Sequence, residues 1–291
     1  MSDTVVHDRR RPEGIRAGAS WRGTLATVQG LLLRDLRVLR REFGAFLART
    51  IAQPLLFVFV FAYVFPRIGQ EIGGGAGAGG GGGAGGGFAT VLVPGLVAVA
   101  MVFQGITAVA LPLSQEFGAT REIEDRVLAP VRVEVVALAK VLFGAAQSLL
   151  AGLVVLPLVL FVSAGQVVLR LDRPLLLVVV AVLAALLAGA LGLALGTRVD
   201  PRQIGLMFSL VVLPLTFLGA VYYPWAALAA VRWLQIVVLL NPLVYVSEGL
   251  RAALTPTVTT MPVPVVLGAL TAAVGILLWA GVHGFVRRTI A

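Results

Sequence analysis

Two stretches of this chain, Ala89–Leu113 and Val141–Leu169, run for twenty-five and twenty-nine residues without a single charged side chain. At 1.5 Å of rise per residue, either one is long enough as a helix to cross the roughly 30 Å hydrocarbon core of a bilayer. Nothing constrains the fold more, because a backbone surrounded by hydrocarbon has to pair its N–H and C=O groups internally. Composition agrees: 59% of residues are hydrophobic and 13% charged, with a mean hydropathy of +0.98, where soluble domains carry about 25% charged residues. The expected class is an all-α integral membrane protein. At 291 residues the chain has room for several spans but not for a large soluble domain beside them.

Between the two runs lies a charged island, Ser114–Arg132, in which Arg121, Glu122, Glu124, Asp125 and Arg126 fall within six positions. It cannot rest in hydrocarbon, so it is expected to be a loop projecting into water between two spans. Taken in order, residues 1–20 have no periodicity and predict a disordered tail. Leu25, Val28, Leu32, Leu36, Leu39, Phe43 and Phe46 recur at helical spacing, with Arg34, Arg37, Arg40 and Arg41 opposite. That pattern predicts an amphipathic helix over 25–45, lying in the membrane interface or packing on a partner protein. Six spans follow, over about 46–65, 89–113, 135–162, 174–196, 204–221 and 263–286, making 21–291 one transmembrane domain. Small residues at 185, 188, 189, 190, 192 and 194 suit the fourth span to close helix contact.

Gly73–Gly87 is all Gly or Ala, which predicts a flexible loop over 67–88. Residues 222–251 hold two apolar pieces too short to cross, turning at Asn241-Pro242, and predict a re-entrant or interfacial helical hairpin before the last span. With both termini on one side, eighteen of the twenty-three basic residues fall on that side. Arg67, Arg170, Arg173, Arg232 and Arg251 fall on the other. The positive-inside rule makes the larger group cytoplasmic. Both termini and the 114–132 loop are then inside, and the Gly-rich loop and the hairpin outside. The expected location is the cell (inner or plasma) membrane.

Several chemistries are excluded. With no cysteine, and with His7 and His283 far apart, no metal site and no thiol chemistry is expected; His283 is assigned no function. The first long apolar run begins too late for a cleavable signal peptide. The net charge of +9 follows from cytoplasmic arginines rather than nucleic-acid binding. The only lysine, Lys140, follows Ala139, so no Walker A sequence exists here to bind ATP. Spans two, four and five lack the acids or bases that ion coupling in a secondary transporter needs. An intramembrane enzyme would need carboxylates spaced for a metal or a base, and no catalytic residue is expected. A channel or other ATP-independent transporter stays open, because small residues or backbone can line a pore.

Phe117-Gly-Ala-Thr-Arg-Glu-Ile-Glu-Asp-Arg-Val-Leu-Ala-Pro-Val131, Leu92-Val-Pro-Gly95 and Asn241-Pro-Leu-Val-Tyr-Val-Ser-Glu-Gly-Leu-Arg251, in this order and topology, resemble the ABC-2 permeases. These are membrane subunits of ATP-binding-cassette exporters, including daunorubicin-resistance and polysaccharide-export types. The resemblance covers roughly 25–288; the Gly/Ala run departs from it. It implies a permease with no cofactor of its own, moving a drug, lipid-like or glycan substrate outward, hence multidrug efflux or antibiotic resistance. It also implies a second permease copy, a cytoplasmic ABC ATPase carrying ATP-Mg, and surrounding membrane lipids. The 114–132 loop would then couple to the ATPase. Arg121, Glu122, Glu124, Asp125 and Arg126 would give polar rim contacts, Ile123, Val127 and Leu128 an apolar anchor, and Pro130 the stop. A merely solvated loop is the alternative. Glu248 and Arg251, three apart in the hairpin with Asn241 and Pro242, could pair, either to hold the hairpin or to meet substrate. Gln104 and Gln147 are expected as interhelical hydrogen-bond partners or as lining of a substrate path. Phe208, Phe217, Tyr222 and Tyr223 could offer aromatic surface to an amphipathic substrate or to lipid.

Overall fold

The long apolar runs become long helices. The computed structural model describes residues 29–30, 33, 37, 39–64, 88–117, 133–162, 169–199, 203–256 and 258–290. Among them all regular structure is helical: α1 (Phe43–Val58, continued by a π-helical segment Phe59–Val64), α2 (Phe88–Gln115), α3 (Val133–Val162), α4 (Pro174–Arg198) and α5 (Ile204–Phe217), followed by α6 (Arg232–Val237), α7 (Pro242–Leu254) and α8 (Val263–Ile290). Short 3-10 turns, Trp225–Ala230 and Val238–Leu240, flank α6. The interfacial helix expected over 25–45 is described only at scattered positions before Leu39; residues 29–30, 33, 37 and 39–41 are helical.

Four helices, α2, α3, α4 and α8, are long and apolar enough to cross a membrane, and the bent pair α6–α7 makes a fifth crossing only if counted as one span. The expected fifth span is shorter than its hydropathy implies: α5 ends at Phe217 after 14 residues, about 21 Å at 1.5 Å per residue and less than the hydrocarbon thickness. Beyond its last turn the chain opens, and Ala220 takes a left-handed backbone, φ 51°. In α1 the helix widens into its π segment just beyond Pro54.

The core is built on α4, whose residues from Ala184 to Gly196 are nearly all buried against α2, α3 and α8. The small residues there act by letting backbones approach. A Cβ on Gly192 would stand 2.8 Å from the Ile106 carbonyl oxygen of α2, too close for any real side chain. Lipid tails are as apolar as leucine, so packing of this kind, rather than hydrophobic burial, draws such helices together.

Candidate functional site

The hairpin expected at 222–251 is held by specific contacts. α6 with its 3-10 extension meets α7 at 99°, with the bend at Asn241. Asn241 is the N-cap of α7: its Oδ1 accepts from the Leu243 N–H at 3.0 Å, which satisfies one of the helix's free amides, and Pro242 occupies the first helical position. α6 has no buried residue, whereas α7 is buried from Leu243 through Leu254, apart from a partly exposed Tyr245. It packs against α2, α4 and α8.

α7 takes up the carbonyls that the opened end of α5 leaves free. Asn241 Nδ2 donates to Leu215 O at 2.8 Å and Ser247 Oγ to Gly219 O at 2.9 Å. One Arg251 terminal nitrogen donates to Ala220 O at 3.0 Å, Val221 O at 3.4 Å and Val91 O of α2 at 3.2 Å. Its other terminal nitrogen donates to Glu248 Oε1 at 2.7 Å. Glu248 Oε1 also accepts from the Trp225 N–H, and Oε2 from the Met261 N–H, each at 3.0 Å. Both side chains are wholly buried. One carboxylate therefore holds the start of the hairpin at Trp225 beside Met261, just before α8, so the segment between them leaves and returns at one end of the bundle. A Cβ on Gly95 of α2 would collide with the Val221 carbonyl, which explains the glycine in Leu92-Val-Pro-Gly95.

Gln104 and Gln147 meet inside the bundle. Thr50 Oγ1 of α1 donates to Gln104 Oε1 at 3.2 Å, and Gln104 Nε2 donates to Gln147 Oε1 of α3 at 2.9 Å, all three residues buried. Phe217 and Tyr222 form a separate pair, ring centroids 6.2 Å apart, with Phe217 exposed. Burial raises the Tyr222 phenol above its ordinary pKa. The two pairs lie at different depths: Gly95 adjoins Val221, and Gln104 is nine residues, about 13 Å, further along α2. The side chain of Phe208 lies outside the described residues.

The model of the ABC-2 type transporter family matches residues 27–255, from the amphipathic segment through the end of α7. The chain belongs to that family. It is similar to the "Inner membrane transport permease YadH" of Escherichia coli (strain K12), and to the proteins of that name in Escherichia coli O157:H7 and Shigella flexneri. Each is 36% identical over 182 residues, 60% of this chain and 68% of the relative. This ABC-2 chain is thus a multi-pass membrane transport permease.

Arg121, Glu122, Ile123, Glu124, Asp125, Arg126, Val127, Leu128 and Pro130 lie outside the described residues. The residues on either side of that segment are described. Lys140 Nζ of α3 lies 2.8 Å from Glu116 just past α2, tying the two helices together where the loop departs. Phe117 packs edge-on against Phe285, and the Arg288 guanidinium sits 4.6 Å from the centre of the Phe117 ring. Lys140, Thr50, Ser247 and Trp225 have no partner that the sequence assigns. The signal available is their polarity within apolar surroundings, and it names no partner.

Proposed function

We propose that this chain is the membrane-spanning subunit of an ATP-binding-cassette exporter, working as two copies with a separate cytoplasmic ATPase. Membership of the ABC-2 family in a stretch of sequence that carries no Walker A motif is the observation that carries this reading, since it fits energy supplied by a separate ATPase. Both termini inside, and the hairpin outside as a re-entrant element, are supported by the distribution of basic residues; a sixth span requires α5 to cross together with the opened segment that follows it. The loop at 114–132 is the coupling element, rooted by Glu116 and Lys140. A second copy is supported by α5, whose Leu206, Leu210, Leu213 and Phe217 are all exposed. The cargo is an amphipathic drug, lipid-like or glycan-type molecule, in keeping with walls of Leu, Val and Ala.

The test is transport into inverted vesicles carrying the permease with or without its ATPase. ATP-dependent uptake only in the presence of both supports the proposal; flux through the permease alone would make it a channel or ATP-independent transporter. Reversing two loop charges, Glu122→Lys with Asp125→Lys, is expected to abolish coupled transport while membrane insertion stays normal. Unchanged transport and unchanged co-purification of the ATPase in that variant would remove the loop from the coupling role.

A further inference from the structure

A cleft of about 360 Å³ opens between the ends of α4 and α8, lined by Thr197, Arg198, His283, Gly284, Arg287 and Arg288. We infer that it binds the phosphate headgroup of an anionic phospholipid. Arg288 forms its fixed floor: its guanidinium donates to Gly196 O, Thr197 O and Val199 O at 3.4, 3.2 and 3.0 Å and lies over Phe117. These bonds occupy the free carbonyls at the end of α4, whose partial negative charge would otherwise repel an anion. Arg198 and Arg287 stand exposed at the rim, and no carboxylate among the described residues pairs with Arg198, Arg287 or Arg288. Three guanidiniums around one cleft suit a phosphodiester, which guanidinium binds in a bidentate manner.

The source of the phosphate follows from what adjoins the cleft. Ile276, Trp279, His283 and Arg287 follow one another at three- and four-residue spacing and are all exposed, so one open face of α8 grades from apolar to basic. The Trp279 ring stacks on His283, centroids 5.7 Å apart and planes 8° from parallel. A tryptophan placed about two turns before a pair of arginines marks the headgroup level of a bilayer. The stripe beyond it offers an acyl chain an apolar track that free phosphate would not use. Basic pockets between membrane helices hold anionic headgroups in this way.

The full-length chain, purified from nanodiscs holding equal phosphatidylglycerol and phosphatidylcholine, is analysed by native mass spectrometry for retained lipid. The expected result is retained phosphatidylglycerol in several-fold excess over phosphatidylcholine. In Arg198→Gln with Arg287→Gln that preference is expected to fall several-fold, to near parity, while Arg173→Gln with Arg232→Gln, also exposed arginines, retains it. Equal retention of the two lipids by the unaltered chain overturns the inference, and that measurement stands even if the double variant fails to fold. An equal loss in the Arg173/Arg232 variant overturns it too, because it would assign the preference to diffuse charge. Displacement of the lipid by excess inorganic phosphate would assign the cleft to the free anion instead.

Discussion

Replacing Glu248 by Ala should destabilise this protein more than almost any other single change to a polar side chain. The carboxylate is wholly buried and accepts from Arg251 at 2.7 Å and from the Trp225 and Met261 amides at 3.0 Å. Removing one partner of a buried ion pair costs about 3–5 kcal/mol, because the other charge is left uncompensated. Each stranded amide adds about 1–3 kcal/mol, less what relaxation recovers. At roughly 3 °C per kcal/mol for a chain of this size, the midpoint of thermal unfolding is expected to fall by about 10 °C or more. The assay is loss of monodisperse protein in detergent on heating at one fixed scan rate, since such unfolding is often irreversible. The exchanged pair, Glu248→Arg with Arg251→Glu, separates this account from a simple ion pair. It would set a guanidinium against two N–H donors and a carboxylate against the Ala220, Val221 and Val91 carbonyls. It is therefore expected to rescue nothing. A midpoint within about a degree of the native value for Glu248→Ala, or recovery in the exchanged pair, would refute the reasoning.

Three further outcomes are expected. Gly95→Ala should cost about 1–3 kcal/mol by overpacking against the Val221 carbonyl, while Gly205→Ala, with nothing within 4 Å, should leave the same thermal midpoint almost unchanged. Gln104→Leu removes hydrogen bonds to Thr50 and Gln147 and should cost only about 0.6 kcal/mol for each; altered substrate preference in a transport assay would instead place Gln104 on the substrate path. Lys140→Met should lower stability by about 1–3 kcal/mol by removing the 2.8 Å ion pair to the largely buried Glu116, and Lys140→Arg should retain most of it, both read from the thermal midpoint.

Much of the helical layout is legible in the sequence because hydrocarbon imposes it. The charge-free runs mark α2 and α3, and polar breaks at Arg170–Arg173 and Arg198–Arg202 mark the ends of α4 to within two residues. The length of α5 is not legible, because Leu218–Val221 is as apolar as a span. What ends the helix is backbone geometry around Ala220 together with side chains from α7, and neither leaves a trace in local hydropathy. In the hairpin, the spacing of Glu248 and Arg251 already allows a pair. Their backbone partners are 13 to 160 positions away, beyond any local pattern.

That separation bears on what the pair is for. An i, i+3 ion pair on an exposed helix contributes a few tenths of a kcal/mol and could be exchanged for many others. Here the same two residues close the circuit between the start of α2, the open end of α5, the hairpin and the start of α8. Each bond satisfies a backbone group that has no water to turn to. Substrate would have to reach two wholly buried side chains, and contact with Glu248 or with the terminal nitrogens of Arg251 would require one of these bonds to be given up. The geometry thus favours holding the hairpin over meeting cargo.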